Sequence, residues 1–484
     1  MSATPGVPSP PTPLDPLAAR QARATAGGIA ALSSGEIASR IVAFGTTTLL
    51  ARRVGPDGFG ILAFATAVTG YVALLVGGGL NDLAARDVAR QPEEASSIYR
   101  SVLTVRGPLA LIALALILLV AWVIPRPPLQ RVVLALSGLS VLSLALDPLW
   151  ALKALGHRLL AACAQVGTQV LILAGVAVLV PRPADLARVP LVQFAAEASI
   201  ALALAAVVLR AASGSGSAAH GRRLLRESLP LLVGRGLRAI IVSFDIVLLG
   251  FLATSHAVGV YAAVYRLHFF ILALVVAIQT AYLPLMAQMA VTGPSELGEV
   301  SNEALASGAL VGAPLVAGGV VTAGPLLALL FGEPYAEGAR ALQWLLLSLM
   351  FVFVHGLLHN VYVVTGRTHL ETRWFALGAV LNVAGNFWLI PRFGITGAAA
   401  ATALSEGVIV AAGLFLTRIA APSAVLAAWL KPGCAAGMMA VVIALARPAF
   451  SLPAQLAVGA VVYSAVMAGL VGPRAMAARF GRLR

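Results

Sequence analysis

Charge is scarce in this chain. Asp, Glu, Lys and Arg make up 11% of its 484 residues, too few to clothe a soluble domain of that length. Acids are the scarcer sign, 19 against 33 Lys and Arg. The short segments expected on the outer side hold only Asp57, Asp185, Glu333 and Glu337, and no HExxH, GxSxG or Walker pattern occurs. A membrane glycosyltransferase or polymerase displays catalytic groups on a sizeable outer loop, and this chain lacks both the loop and the groups. Cysteine is nearly absent as well. Cys163 and Cys434 fall in or beside apolar runs, which excludes a disulfide framework and leaves no redox motif. Aromatic residues total only 6%.

What the chain has instead is apolar length. Hydrophobic residues make up 60% and the mean hydropathy is +0.94, the composition of a membrane protein. Continuous apolar runs favour helices over an alternating barrel, and about fourteen are long enough to cross the bilayer. They begin near residues 28, 59, 102, 131, 159, 189, 228, 258, 304, 338, 370, 396, 425 and 453. The preceding "MSATPGVPSPPTPLDPLAARQARA" is rich in proline and carries no apolar h-region, so residues 1–26 read as a disordered cytoplasmic tail. A net charge of +14 would suit nucleic acid only if gathered on a soluble face. Here the basic residues sit between spans, most of them on one side. The positive-inside rule makes that side cytoplasmic, with both termini inside. The clusters "HGRRLLR" (220–226) and "RAMAARFGRLR" (474–484) read as topology determinants with affinity for anionic lipid.

The chain is built twice. "AASGSGSAAHGRR" (211–223) separates two similar halves. Laying 49–65 over 248–264 without a gap sets Leu49, Leu50, Gly60 and Ala63 on Leu248, Leu249, Gly259 and Ala262. At a constant offset of 210, Gly156 falls on Gly366, Pro181 on Pro391 and Arg182 on Arg392; one residue of slippage later, Glu197 falls on Glu406. Each half has six spans, an even number, so both enter from the same side and the repeat is parallel. Two such lobes can enclose a cavity and rock against each other, which is transporter architecture. The expected fold is therefore an all-α polytopic membrane protein with a lobe at 27–211, a cytoplasmic linker at 212–226 and a second lobe at 227–420. Two further helices and a basic tail follow at 421–484.

"LLARRVGPDGFGILAFATAV", "GGGLNDLAARDVAR", "DIVLLGFLATSHAVGVYAAVYRL", "PYAEGARALQWLL" and "LNVAGNFWLIPRFGITGAAAATALSE" occur in that order. Over roughly residues 28 to 420 the chain resembles the Wzx-type oligosaccharide flippases, the polysaccharide-export branch of the multidrug/oligosaccharidyl-lipid/polysaccharide superfamily. The resemblance implies a two-lobed bundle in the bacterial inner membrane. It implies movement of polyprenyl-diphosphate-linked oligosaccharide from the inner to the outer leaflet by alternating access, for surface polysaccharide. Coupling to H+ or Na+ is reported in parts of the superfamily, and no other cofactor is implied. The partners implied are the lipid-linked oligosaccharide, membrane lipid and the proteins that polymerise or assemble the glycan. The alternative within the superfamily is a multidrug or cation exporter, whose cavity would be acidic and aromatic.

Ionisable groups at membrane depth mark candidate sites, because they face a cavity or a partner. Glu36 and Arg40 lie one turn apart and can pair on one helix face. Arg235 and Arg238 precede Asp245 in the seventh span, with Asp245 on the face of Arg238. The eighth span carries Arg266 and His268. Arg grips phosphate oxygens through a planar fork, so Arg40, Arg238 and Arg266, with Arg235 less central, are expected around a diphosphate. Glu36, Asp245, Glu197 and Glu406 are the candidates for a coupling ion, since a carboxyl withdrawn from water can exchange a proton within the working range. For Glu36 and Asp245, compensation of a neighbouring Arg is the competing role. Asn382 and Asn386 share a face with Gly378 and Gly385, either as interhelical glue or as sugar contacts. His355 and His359, one turn apart, lack a third metal ligand and read as cavity lining or packing.

Overall fold

Lipid offers no partner for backbone amides, so each apolar run must close its own hydrogen bonds, and helices are the only regular elements among the described residues. The computed structural model describes residues 16–210, 217–417, 422–447 and 450–471. The side chains of 16–33, 218, 219, 237, 238, 240–242, 416, 417 and 422 also lie outside the described part, as do tail residues 1–15, linker residues 211–216 and the basic tail from 472.

The first lobe comprises α1 (Pro16–Gly77), the amphipathic α2 (Leu80–Arg90), α3 (Ala95–Val123), the short α4 (Pro128–Ser137), α5 (Ser140–Leu146) and α6 (Leu149–Ala154), α7 (Arg158–Leu179) and α8 (Arg188–Arg210). The second comprises α9 (Ala218–Leu252), α10 (Ser255–Thr292), α11 (Pro294–Phe331), α12 (Ala339–Val364) and α13 (Thr368–Thr417). α14 (Pro422–Ala446) and α15 (Leu452–Val471) follow, α14 packing mainly on α11 and α15 mainly on α14. Two boundaries differ from the sequence reading. Residues 16–26 are helical rather than tail, and the linker turns helical from Ala218.

Among the described residues, eleven segments are long and apolar enough to cross a membrane, against the fourteen expected. The difference has local causes. α1 and α13 are each two helical arms joined at a non-helical residue, Gly55 (φ 68°) and Gly394 (φ 55°), so each covers two expected spans, and of α9 only Ser243–Leu252 counts, as a short run, because side chains at 237, 238 and 240–242 lie outside the described residues. The left-handed φ at both kinks is one that glycine adopts without a Cβ penalty.

The fourth span is broken rather than continuous. Asp147 and Pro148 separate α5 from α6, and the freed carbonyls are met from α3: Tyr99 donates to Leu146 O and the fully buried Arg106 donates to Asp147 O (3.5 Å). Irregular backbone at membrane depth persists where protein satisfies it.

The repeat is visible in hydrogen bonds. α6 and α12 each end in a Schellman turn. His157 N donates to Leu152 O (3.0 Å) around Gly156 (φ 79°), and Arg367 N donates to Tyr362 O (2.8 Å) around Gly366 (φ 71°). These turns lie on the face that carries the linker. At the opposite, far face, arginines cap ascending helices, a favourable place for a cation at the negative end of a helix. Arg53 donates to Ala177 O (2.8 Å) of α7, Arg131 to Ala121 O (2.8 Å) of α3, and Arg392 to Trp388 O (2.8 Å) of α13.

Candidate functional site

The lobes meet where α1 crosses α10. Gly60 and Gly259 lie so close that a Cβ on Gly60 would collide with Ser255 O and stand 2.8 Å from Gly259 N. A Cβ on Gly259 would collide with Pro56 O and stand 2.8 Å from Gly60 N. Arg52 reaches across this far face to Leu329 O and to Leu330 O (2.9 Å), and Arg126 reaches to Gly250 O. Gln130 donates to Ser255 Oγ (2.8 Å), Tyr335 to Ala51 O (3.0 Å), and His256 lies between Asp57 (3.4 Å) and Glu337 (2.7 Å).

On the linker face the lobes are joined by ion pairs between α2 and α9. Arg235 meets Asp82 (2.7 Å), Arg223 meets Asp87 (3.1 Å), and Arg86 holds Asp87 (2.8 Å) and touches Glu227 (3.5 Å). Arg235, expected near the substrate, thus serves this junction.

Between the two closures lies a cavity of about 550 Å³. α1, α7, α8, α9 and α10 line it with hydroxyls and amides (Thr46, Thr47, Thr66, Gln169, Gln193, Ser243), aromatic rings (Phe59, Tyr71, Tyr265, Phe269), Glu197 and Arg266. Of the three arginines expected here, Arg266 is in place. Arg40 is not: it is exposed and bonds Glu36 at 2.7 Å, the pair its four-residue spacing allows, and it lines neither this cavity nor its neighbour. The Arg238 side chain lies outside the described residues.

A second cavity, about 420 Å³, opens inside the first lobe against the break in the fourth span. It shares Glu197 with the first and adds Asp147, Ser39, Ser140, Gln165 and Thr168. Glu197 accepts a hydrogen bond from Ser143 (2.6 Å). Asp147 is not among the sequence candidates, although an Asp-Pro pair inside an apolar run is the signal that marks it. Arg106, in the middle of α3, carries no such mark.

The remaining candidates lie in the second lobe. Asp245 (2% exposed) accepts from Tyr261 (2.6 Å) and also bonds Tyr265, which in turn bonds Thr402. Asn382 donates to Thr402 (3.4 Å) and Ser405 (3.3 Å), and Asn386 donates to Asn382 (2.9 Å) while its own Oδ1 finds no partner. Of the two roles open to these amides, the geometry matches the interhelical one: Asn382 bonds across to the second arm of α13, and neither amide lines the two cavities described above. Glu406 faces His355 (3.3 Å), so this histidine pairs with a carboxylate rather than merely packing.

Comparison with known proteins agrees with this architecture. The profile described as "Polysaccharide biosynthesis protein" matches residues 26–290, more than half of the chain, and the MatE profile matches 230–388. The fold is similar to that of the lipid II flippase MurJ in an inward closed conformation (TM-score 0.73, 16% identity, covering 91% of this chain and 98% of that one). It is also similar to an inward-facing multidrug resistance MATE transporter of the MOP superfamily (TM-score 0.60, 16% identity, covering 82% and 98%). An uncharacterized membrane protein of Methanocaldococcus jannaschii, MJ1068, is 35% identical over 77 residues, a match that spans 16% of this chain and only 15% of that protein. The chain is a multi-pass membrane transporter that belongs to the polysaccharide biosynthesis protein family, within the multidrug/oligosaccharidyl-lipid/polysaccharide superfamily.

Proposed function

We propose that this chain translocates a lipid-linked oligosaccharide across the bacterial cytoplasmic membrane by alternating access. The carrying observation is the inter-lobe cavity, where Arg266 supplies a forked cation for a diphosphate and hydroxyls and amides line the remaining wall for sugar. Its volume suits a compact headgroup, with the lipid chain left in the bilayer. Membership of the polysaccharide biosynthesis protein family supports the same substrate class. The basic cluster at 220–226 on the linker face supports a cytoplasmic assignment for that face and, with it, for both termini. Polymerising or assembling enzymes would then act on the product at the far face.

Coupling to H+ or Na+ is part of this reading. Asp245 and Glu197 lie at membrane depth, with no Lys or Arg in ion-pair range among the described residues, which supports their holding a cation during part of the cycle.

One observation favours the exporter reading instead: four aromatic rings and Glu197 share the cavity wall, a lining that suits organic cations. Deletion of the gene in its own host separates the two. Loss of surface polymer with precursor trapped on the inner leaflet, restored by wild type and not by Arg266→Ala at equal protein level, is the outcome expected. Normal polymer with new sensitivity to cationic compounds would establish the exporter.

A further inference from the structure

The second lobe holds a line of four ionisable side chains from three helical arms. Glu406, on the arm of α13 beyond Gly394, has Oε2 3.3 Å from His355 Nδ1 on α12. The other ring nitrogen of His355 is 4.0 Å from Oε1 of Glu371, on the first turn of α13. The same oxygen is 2.7 Å from Nδ1 of His359. Side-chain exposure is 17% at Glu406, 12% at His355 and 18% at Glu371, then rises to 50% at His359. The line thus leads from the linker-face end of α12 into the lobe.

We propose that His359, Glu371, His355 and Glu406 form a proton-binding relay in the second lobe, with His355 as its storage site; this rests on the reading that transport is ion-coupled and names the ion as H+. A neutral imidazole has one N–H. If His355 donates it to Glu406, the bare nitrogen faces the Glu371 carboxylate. One proton added there gives an imidazolium held between two carboxylates, and it draws the first turn of α13 toward α12. Both arms of α13, joined at Gly394, are then tied to one helix. With both imidazoles neutral the four groups carry two negative charges, and two protons cancel them.

The charged neighbours in sequence are Arg367, His369 and Arg373, around the first turn of α13. Among the described residues neither Glu371 nor Glu406 has a Lys or Arg within 4.0 Å. α10 meets this stretch of α12 through the uncharged Gln279, whose amide donates to Val352 O (2.9 Å), and α11 meets it through Gly308 and Gly312 against Phe353. At the same end α10 also carries Tyr282, bonded to Ser307 (2.7 Å), and α11 carries Glu303. No set of three or more His, Cys, Asp or Glu among the described residues is disposed to hold a metal, so the ligand argued is the proton. The first lobe lacks the device: there the matching Glu197 meets Ser143, a group that takes up no proton.

The test is imidazole ¹⁵N NMR on the full-length protein in lipid nanodiscs. The chain has only 7 histidines, and His355 and His359 are assigned by H355Q and H359Q. At one and the same pH a larger fraction of His355 should carry protons on both ring nitrogens in the wild type than in Glu371→Gln combined with Glu406→Gln. His268, buried between Tyr265 and Phe269 without a carboxylate, is the internal reference. An equal or smaller doubly protonated fraction in the wild type than in the double variant overturns the inference. No substrate enters this measurement, so its failure is distinct from failure of the transport reading.

Discussion

Gly60 and Gly259 touch backbone to backbone across the lobe interface, each facing the carbonyl four residues before the other: Ser255 for Gly60, and Pro56 for Gly259. The reciprocity means that the axis relating the two halves of the sequence passes through this contact. Lobes rocking about such an axis hinge or part at a place where no side chain fits.

Gly60→Ala and Gly259→Ala should each force the lobes apart at the far face, with a cost of about 1–3 kcal/mol for overpacking. The two changes disturb one contact, so together they should cost less than their sum. Disulfide formation between Gln130→Cys and Ser255→Cys, with Cys163 and Cys434 first replaced by Ala, reads the closure. Its yield should fall in either glycine variant.

The linker-face junction is of another kind. Its Arg235–Asp82 pair is exposed on both sides, so it contributes little and weakens with salt, whereas Asp87 is buried between Arg86 and Arg223. Asp82→Ala or Arg235→Ala should loosen this face and quicken labelling of a cysteine placed at Ser243 in the cavity. Exchanging the charges, Asp82→Arg with Arg235→Asp, should return the rate toward wild type.

Arg266→Ala should lower translocation at least tenfold with unchanged protein level, whereas Arg266→Lys should retain part of it. Lysine keeps the charge and loses the fork that matches two phosphate oxygens. Surface polymer per cell, normalised to protein, measures the difference.

Gly156→Ala and Gly366→Ala should cost similar amounts, about 1 kcal/mol each, because both occupy the left-handed position of the same turn and have open space around the missing Cβ. Thermal unfolding in detergent gives both values. A large cost at one and none at the other would argue against equivalence of the halves.

Asp245→Asn keeps an acceptor for Tyr261 while removing the charge. Folding should be preserved, and ion dependence of transport in vesicles should be lost. Dependence identical to wild type would remove Asp245 from the coupling set.

The sequence carried the repeat because its matched positions are those where chemistry allows little choice. Gly60 and Gly259 need the absence of a Cβ, and Gly156 and Gly366 need a positive φ. Glu197 and Glu406 each meet a group on the fourth span of their own lobe, Ser143 and His355. What could not be read was the direction in which each charge points. Arg40 sits at the right depth for the cavity yet pairs within its own helix, and Arg235 reaches α2, which is distant in sequence. The arginines beyond the far ends of the spans count against the positive-inside rule, but Arg52, Arg53, Arg126 and Arg131 bind carbonyls instead of facing water freely. Charge counting treats every Arg alike; the helix end that each one caps is a tertiary fact.

Movement of a lipid-linked glycan between leaflets is the property to measure most directly. Inverted membrane vesicles holding this protein are given a labelled polyprenyl-diphosphate oligosaccharide on the cytoplasmic leaflet, and protection from a membrane-impermeant glycosidase is followed over time. Protection that grows with the wild type and stays at background with Arg266→Ala is the result predicted. A substrate that remains fully accessible, in vesicles that do accumulate a cationic dye, would contradict the account.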